Sequence, residues 1–277
     1  MEENMLKETL ETLRTTHPLI HNITNYVTVN DCANVLLACG SAPIMSDDCE
    51  EVEEITAICG GLTINIGTLN RNTIPSMFLA GKMANALSHP VVLDPVGAGA
   101  SSLRTKTACQ LLDQIQFTVI RGNVSEIKTL ALGSGTTKGV DADLADAITE
   151  GNLDNALHFA KKFAEKTGAI IAITGAIDIV SDSKTAYVIR NGHPMMSQIT
   201  GTGCMLSTMV TAYVTANPVN ALKATVAAVC AMGLCGELAH NRLTERDGNT
   251  TYRTYLIDEI YHLDGETLER GANYEMR

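Results

Sequence analysis

The 277-residue chain has no tryptophan, and Phe and Tyr bring its aromatic share to only 4%. Its 45% hydrophobic content therefore rests on Ala, Ile, Leu, Val and Met, side chains that suit helices laid over a parallel sheet. Basic residues are outnumbered 20 to 31, for a net charge of −11. That argues against nucleic acid, whose phosphates are met by clustered Lys and Arg, and no basic run offers a membrane-surface anchor. A small anionic substrate stays open, because local dipoles can overrule net charge. There is no CxxC pair and no His-x3-His spacing, which argues against a structural zinc site. The eight cysteines, at 32, 39, 49, 59, 109, 204, 230 and 235, read as reduced and mostly buried thiols, and the compartment as cytoplasm. Met1-Glu2-Glu3-Asn4 has the wrong charge for a secretory leader. The most apolar long stretch, 225–238, is rich in Gly and Ala and interrupted by Glu237, so it predicts a buried helix rather than a bilayer span. A P-loop is missing, and Gly97-Ala98-Gly99-Ala100-Ser101-Ser102 lacks the third glycine of a dinucleotide fingerprint.

What is present is a regular alternation. Apolar β-branched runs at 42–45, 62–67, 91–94, 118–121 and 169–174 show no clean period of two, as strands covered on both faces do. Between them lie helical patterns. One runs over 30–39 and stops at Gly40, and another over 73–87 with Pro75 in its first turn. A third covers 153–167, with Leu157, Ala160, Phe163 and Ala164 on one side and Gly168 after it. Asp47-Asp48-Cys49-Glu50 resembles a capping box for the helix that follows, which Gly60-Gly61 ends. The rhythm predicts a parallel sheet with right-handed crossovers. It breaks at 177–180 and 186–190, which flank Ser181-Asp182-Ser183-Lys184 and read as an antiparallel hairpin. Helices then run from Cys204 to the neighbourhood of His262. With no repeat, low-complexity tract or linker, residues 1–277 read as one domain.

In an open α/β sheet, ligands bind beyond the carboxyl ends of the strands. Those ends are Met45, Gly67-Thr68, Asp94-Pro95, Arg121-Gly122-Asn123 and Thr174-Gly175. Gly201-Thr202-Gly203-Cys204 then opens a helix. Its glycines uncover backbone N–H groups, and the helix dipole adds positive potential, so together they form a nest for phosphate. Cys204 lies in that first turn, where a helix start pushes a thiol pKa down. It is the candidate to accept or orient a substrate proton. Glu126, one turn into the helix after its strand, suits the water shell of Mg²⁺, and Asp94, whose strand stops at Pro95, reads as a side chain free to act. Arg121, with its fixed forked charge, suits a nucleotide phosphate. Taken singly, each feature also fits a plain structural role; it is their convergence on one sheet edge that points to phosphoryl transfer.

The segments HNITNYVTVNDCANVLLACGSAPIMSDD, LTINIGT, VVLDPVGAGAS, IRGNVSEI, AITGAIDIVSD and ITGTGCMLST resemble the hydroxyethylthiazole kinase family of the ribokinase-like superfamily, over residues 18–238. The resemblance implies a three-layer α/β/α fold with a mostly parallel central sheet and an antiparallel hairpin near the edge. It also implies a phosphotransferase that uses ATP and Mg²⁺ on the hydroxyl of 4-methyl-5-(2-hydroxyethyl)thiazole, in thiamine biosynthesis and salvage. By the same likeness Met45, Asn25, Gly67 and Gly201 contact the substrate, and Arg121 and Thr174 contact ATP. Asp94 and Glu126 lie near the metal, and Cys204 stands where the wider superfamily usually has Asp. A homotrimer with the site at a subunit boundary is implied as well. A ribokinase-like kinase for another small alcohol, such as the pyrimidine of the thiamine pathway, and a non-catalytic thiazole or nucleotide binder are the alternatives. Residues 245–277 carry no assignable motif.

Overall fold

A computed structural model describes residues 4–133 and 147–277; Met1, Glu2 and Glu3, read above for leader character, lie outside them. The chain begins with α1 Met5–Thr16, β1 Leu19–Ile23, α2 Val29–Cys39, β2 Ala42–Met45, α3 Val52–Ile58 and β3 Gly61–Asn65. It continues through α4 Thr73–Ala86, β4 Val91–Asp94, α5 Ser102–Gln114, β5 Val119–Asn123, α6 Val124–Gly133, α7 Leu153–Thr167 and β6 Ile170–Thr174. The last part holds β7 Asp178–Ser181, β8 Ala186–Ile189, α8 Thr202–Ala216, α9 Ala221–Asn241, α10 Asn249–His262, α11 Gly265–Gly271 and β9 Tyr274–Met276.

The strands form one sheet in the order β2-β1-β3-β4-β5-β6-β7-β8-β9. From β2 to β6 every pairing is parallel, and from β6 to β9 every pairing is antiparallel. Successive strand residues alternate between two apolar cores. Val92, Val119, Ile170 and Ala172 pack with residues of α1, α2 and α8 to α11. Val91, Leu93, Ile120, Ile171 and Ile173 pack with residues of α3 to α7. Both faces are therefore covered, giving three α/β/α layers, and this is why the strands read as continuous apolar runs.

The expected strands and the hairpin are all present, and the helices stop at Gly40 and Gly168 as expected. The capping box at Asp47–Glu50 is not. The N-cap of α3 is Glu51, with no side-chain hydrogen bond. Asp48 Oδ1 instead accepts the Glu50 N–H at 2.9 Å, closing a turn ahead of the helix, and Glu51 is drawn away to accept from Ser46 Oγ. Residues 225–238 lie in α9, which with its preceding turn is long and apolar enough to cross a bilayer on length and composition alone. Its residues from Ala224 to Gly236 are buried, packed against α8, α10 and α1.

The strand order reverses at β1, which has β2 on one side and β3 on the other. Such a switch point leaves a crevice at the carboxyl ends of the two diverging strands. The helix that crosses this crevice is α8, which contacts β1, β3 and β4.

Candidate active site

The crevice is floored by polar side chains on otherwise apolar strands. Asn22 is on β1, Thr63 and Asn65 are on β3, and Asp94 ends β4; all are buried. Buried polar groups persist only when paired, and these are paired with α8. Thr211 Oγ1 lies 2.7 Å from Thr63 Oγ1, Thr208 Oγ1 donates to Asn22 Oδ1, and Ser207 Oγ donates to Asp94 Oδ2 at 2.8 Å. Asn65 Nδ2 donates to the same Asp94 oxygen at 2.9 Å. Polar residues at 204, 207, 208 and 211 follow helical spacing, so one face of α8 is fastened to the strand ends and its first turn is fixed over them.

That first turn begins as expected. Gly201 is the N-cap, with φ of 93° and no side-chain cap, a conformation that favours glycine. The opening N–H groups of α8 are thus left without an intrahelical or side-chain acceptor. Cys204 is half-buried, and its Sγ accepts from Asn25 Nδ2 at 3.2 Å. Asn25 also donates to Asn65 Oδ1 at 3.1 Å and accepts from Thr28 N and Thr28 Oγ1. The thiol does not follow the helix-start expectation. Burial raises its pKa, and the neighbouring Asp94 carboxylate raises it further, so at neutral pH the group is a thiol and not a thiolate.

Asp94 is not free to act as the Asp-Pro reading expected. It is fully buried, with Arg121 Nη1 at 3.6 Å from Oδ2. Burial pushes its pKa up to about 6 against the pull of Arg121 and of the Ser207 hydrogen bond. Its second oxygen, Oδ1, is buried with no hydrogen-bond partner in the protein. An orphan of that kind is costly unless a ligand, water or ion meets it. Glu126 sits in the first turn of α6. Its Oε2 accepts the Asn123 N–H at 2.9 Å while Asn123 Oδ1 accepts the Glu126 N–H at 2.8 Å, a reciprocal cap. Its Oε1 accepts the Gly97 N–H at 2.8 Å. Both oxygens keep a lone pair for a water ligand. Among the described residues, no three His, Cys, Asp or Glu side chains gather as a cation site. Asp94 and Glu126 thus fit a part of the shell of a cation that is otherwise held by phosphates and water, as Mg²⁺ is.

Beyond the crevice, a cleft of about 500 Å³ opens between the ends of β5 and β6 and the first turn of α8. Arg121, Thr174, Asp178, Gly175, Thr202 and Gly203 are among the residues that line it. Arg121 is no surface residue: its Nη2 donates to Thr174 Oγ1 at 2.6 Å. A Cβ on Gly203 would lie 2.4 Å from Arg121 Nη1, so only glycine lets the guanidinium lie against the start of α8. The positive end of the helix and a fixed cation thus share the cleft mouth.

The hydroxyethylthiazole kinase family profile matches residues 10–266 of this chain. The chain belongs to the hydroxyethylthiazole kinase family. It is 67% identical to the hydroxyethylthiazole kinase of Clostridium acetobutylicum over 271 residues, 98% of this chain and 99% of the relative. A solved hydroxyethylthiazole kinase from Pyrococcus horikoshii superposes with a TM-score of 0.87 at 33% identity, covering 98% of each chain. A ribokinase-like superfamily protein from Enterococcus faecalis superposes at 0.64 with 11% identity over 95% of each chain, a likeness of fold alone.

For a hydroxyethylthiazole kinase family member, the sequence-predicted residues divide into two neighbouring groups. Asn25, Asp94 and Cys204 meet in the crevice, and Arg121, Thr174, Thr202 and Gly203 meet in the cleft, with the first turn of α8 bordering both. Gly67 joins the crevice through its N–H, which donates to Asn65 Oδ1 at 2.9 Å. Met45 does not line the cleft; it stands half-buried on the edge strand β2, beside Asn22 of β1. Asn65, Ser207 and Thr208 went unpredicted. An Asn inside the run LTIN, and Ser and Thr three and four residues after Cys204, are the signals that could have found them.

Asp178, also unpredicted, borders the cleft. Its Oδ1 accepts the Gly175 N–H at 2.8 Å. Burial pushes its pKa up to about 7, while that hydrogen bond and Arg121 oppose the shift.

Proposed function

We propose that this protein transfers the γ-phosphoryl group of ATP to the hydroxyl of 4-methyl-5-(2-hydroxyethyl)thiazole, a step in thiamine biosynthesis and salvage. The observation that carries the reading is the placement of the first turn of α8. Its amides border the cleft that suits a nucleotide, while Cys204 on the same turn faces the crevice side through Asn25. An alcohol in the crevice and a triphosphate in the cleft would meet at that turn. Met45, Asn25, Gly67 and Gly201 frame the thiazole alcohol, and Arg121 and Thr174 hold the nucleotide.

Phosphoryl transfer is loose, so the attacking alcohol needs little charge before the bond forms. The chain's work is to align the two partners and to receive negative charge on prepaid donors. The N–H groups of Thr202, Gly203 and Cys204, with Arg121, meet the transferring oxygens. Asp94 Oδ1 and Glu126 would hold Mg²⁺ together with the nucleotide, and that ion would neutralise charge on the β- and γ-phosphates. Cys204, as a neutral thiol, orients the alcohol by hydrogen bonding. Cys204→Ala is therefore expected to lower kcat by ~10²-fold, the low end of proton-handling effects, with KM for ATP unchanged. A kcat equal to the parent's would remove the thiol from the reaction.

The reading is tested by coupled ADP release with hydroxyethylthiazole, with the hydroxymethyl pyrimidine of the same pathway, and with neither, each with and without Mg²⁺. Mg²⁺-dependent turnover of the thiazole alcohol well above the other two is expected. Preference for the pyrimidine, or ADP release indifferent to either alcohol, would overturn it.

We further place the protein in the cytoplasm as a homotrimer whose sites lie at subunit boundaries. Support comes from the edge strand β2, half-buried along its length. In the segments that flank it in the chain, Tyr26, Val27, Leu37 and Ile58 are exposed, Tyr26 by 75%, side chains that an interface would cover. Light scattering should give three times the 29.6 kDa chain mass; a monomer active at the same specific rate would exclude a shared site.

A further inference from the structure

We propose that Arg104 is a positioning residue that ties the alcohol side of the site to the carboxylate side. It resides in the first turn of α5, where its N–H is capped by Ser101 Oγ at 3.3 Å. Its side chain turns back over the strand ends: Nη2 donates to Gly67 O at 2.6 Å, and Nη1 donates to Val96 O at 3.3 Å. One planar fork thus holds two backbone carbonyls, from the loop after β3 and the loop after β4, an arrangement that a lysine cannot reproduce.

Both loops lead directly to site residues. Gly67 N–H donates to Asn65 Oδ1, which also accepts from Asn25, and Asn25 reaches Cys204 Sγ. On the other side, Gly97 follows Val96 and donates its N–H to Glu126 Oε1 at 2.8 Å. Gly97 has φ of 73°, and a Cβ there would lie 2.1 Å from Arg104 Nη1. The loop that presents Gly97 to Glu126 is therefore closed over the guanidinium itself. An unbroken series of hydrogen bonds and peptide links runs from Cys204 through Asn25, Asn65, Gly67, Arg104 and Gly97 to Glu126. Within it, Arg104 joins the loop after β3 to the loop after β4.

This inference rests on the assignment of Gly67 to the alcohol and of Glu126 to the metal. Its test is kinetic and calorimetric, on the full chain. Arg104→Met is expected to raise KM for the thiazole alcohol and the Mg²⁺ concentration for half-maximal rate, each roughly tenfold or more, the scale of lost hydrogen bonds from a charged donor. At saturating Mg²⁺, KM for ATP should not move, since other residues line that cleft. Arg104→Lys should recover the alcohol KM through a single contact with Gly67 O, but not the Mg²⁺ requirement. Mg²⁺-dependent thermal stabilisation by ADP reads the Glu126 side with no alcohol present, and Arg104→Met should weaken it.

A folded Arg104→Met with both kinetic quantities and the Mg²⁺-dependent stabilisation unchanged, or one that only melts lower, would overturn the proposal. If that variant does not fold, Arg104→Lys, which keeps the charge and loses the fork, must still raise the Mg²⁺ requirement and weaken the Mg²⁺-dependent stabilisation, and the absence of both would be equally decisive. A parent that does not turn over hydroxyethylthiazole would refute the proposed substrate alone, because the thermal measurement still reports on Arg104.

Discussion

Gly203→Val lowers kcat by roughly 10³-fold or more, on the scale of losing an oxyanion donor, and raises KM for ATP. The substitution acts twice. The start of α8 is the place where negative charge on the transferring group meets backbone N–H donors, and a branched side chain there covers them. A Cβ at 203 also meets Arg121 Nη1 at 2.4 Å and Cζ at 2.9 Å. The guanidinium must then leave Thr174 and Asp94, and the cleft loses its fixed cation. Because Gly203 borders an open cleft rather than the core, the fold should survive, as near-parental circular dichroism would show. A folded Gly203→Val with parental kcat and KM would sink the assignment of this turn to the phosphate.

Asp94→Asn lowers kcat by ~10²–10³-fold and at the same time makes the magnesium-free protein more stable at pH 8. Activity falls because the amide presents no charge to a cation or to Arg121. Stability rises for a reason that the burial of Asp94 supplies. A carboxyl whose folded pKa is raised, here from 3.8 to about 6, contributes stability that is complete below the unfolded value. That stability is lost as pH rises through about 6. Asn mimics the protonated form, so the variant escapes the loss. The shift corresponds to about 3 kcal/mol at its upper limit, read as a higher melting temperature at pH 8 that vanishes near pH 4. The parent's kcat/KM should fall as pH drops through about 6, where Asp94 takes up its proton. A variant less stable than the parent at both pH values would show that Asp94 ionisation holds the fold together instead of straining it.

This tension between stability and activity separates what the amino-acid sequence displays from what it conceals. Strands β3 to β6 were legible because burial on both faces leaves an apolar run at each, and β2 because its four residues, though half-buried, are all apolar. β1 was not, since His21 and Asn22 interrupt its run, and their polarity has a purpose. His21 Nε2 lies 2.9 Å from the Ser46 carbonyl, beside Met45, and Asn22 fastens Thr208 of α8. β9 has three residues and pairs only at the far edge, too short for any periodicity.

The start of α8 was legible from its own glycines. The state of Cys204 was not legible because two effects compete there. The helix start favours thiolate, but burial and Asp94, 110 positions away in the chain, favour the thiol and win. Arg104 left no trace at all, because its partners are the backbone carbonyls of Gly67 and Val96, which any residue would supply.

The most direct measurement is a crystal structure with ADP, Mg²⁺, hydroxyethylthiazole and aluminium fluoride, which stands in for the phosphoryl group in flight. The fluoride ligands are expected ~3 Å from the N–H groups of Gly203 and Cys204, with the thiazole hydroxyl beside Cys204 Sγ and the ADP in the cleft lined by Arg121 and Thr174. An aluminium fluoride group seated away from the start of α8, or a thiazole bound outside the crevice of Asn25 and Asp94, would contradict it.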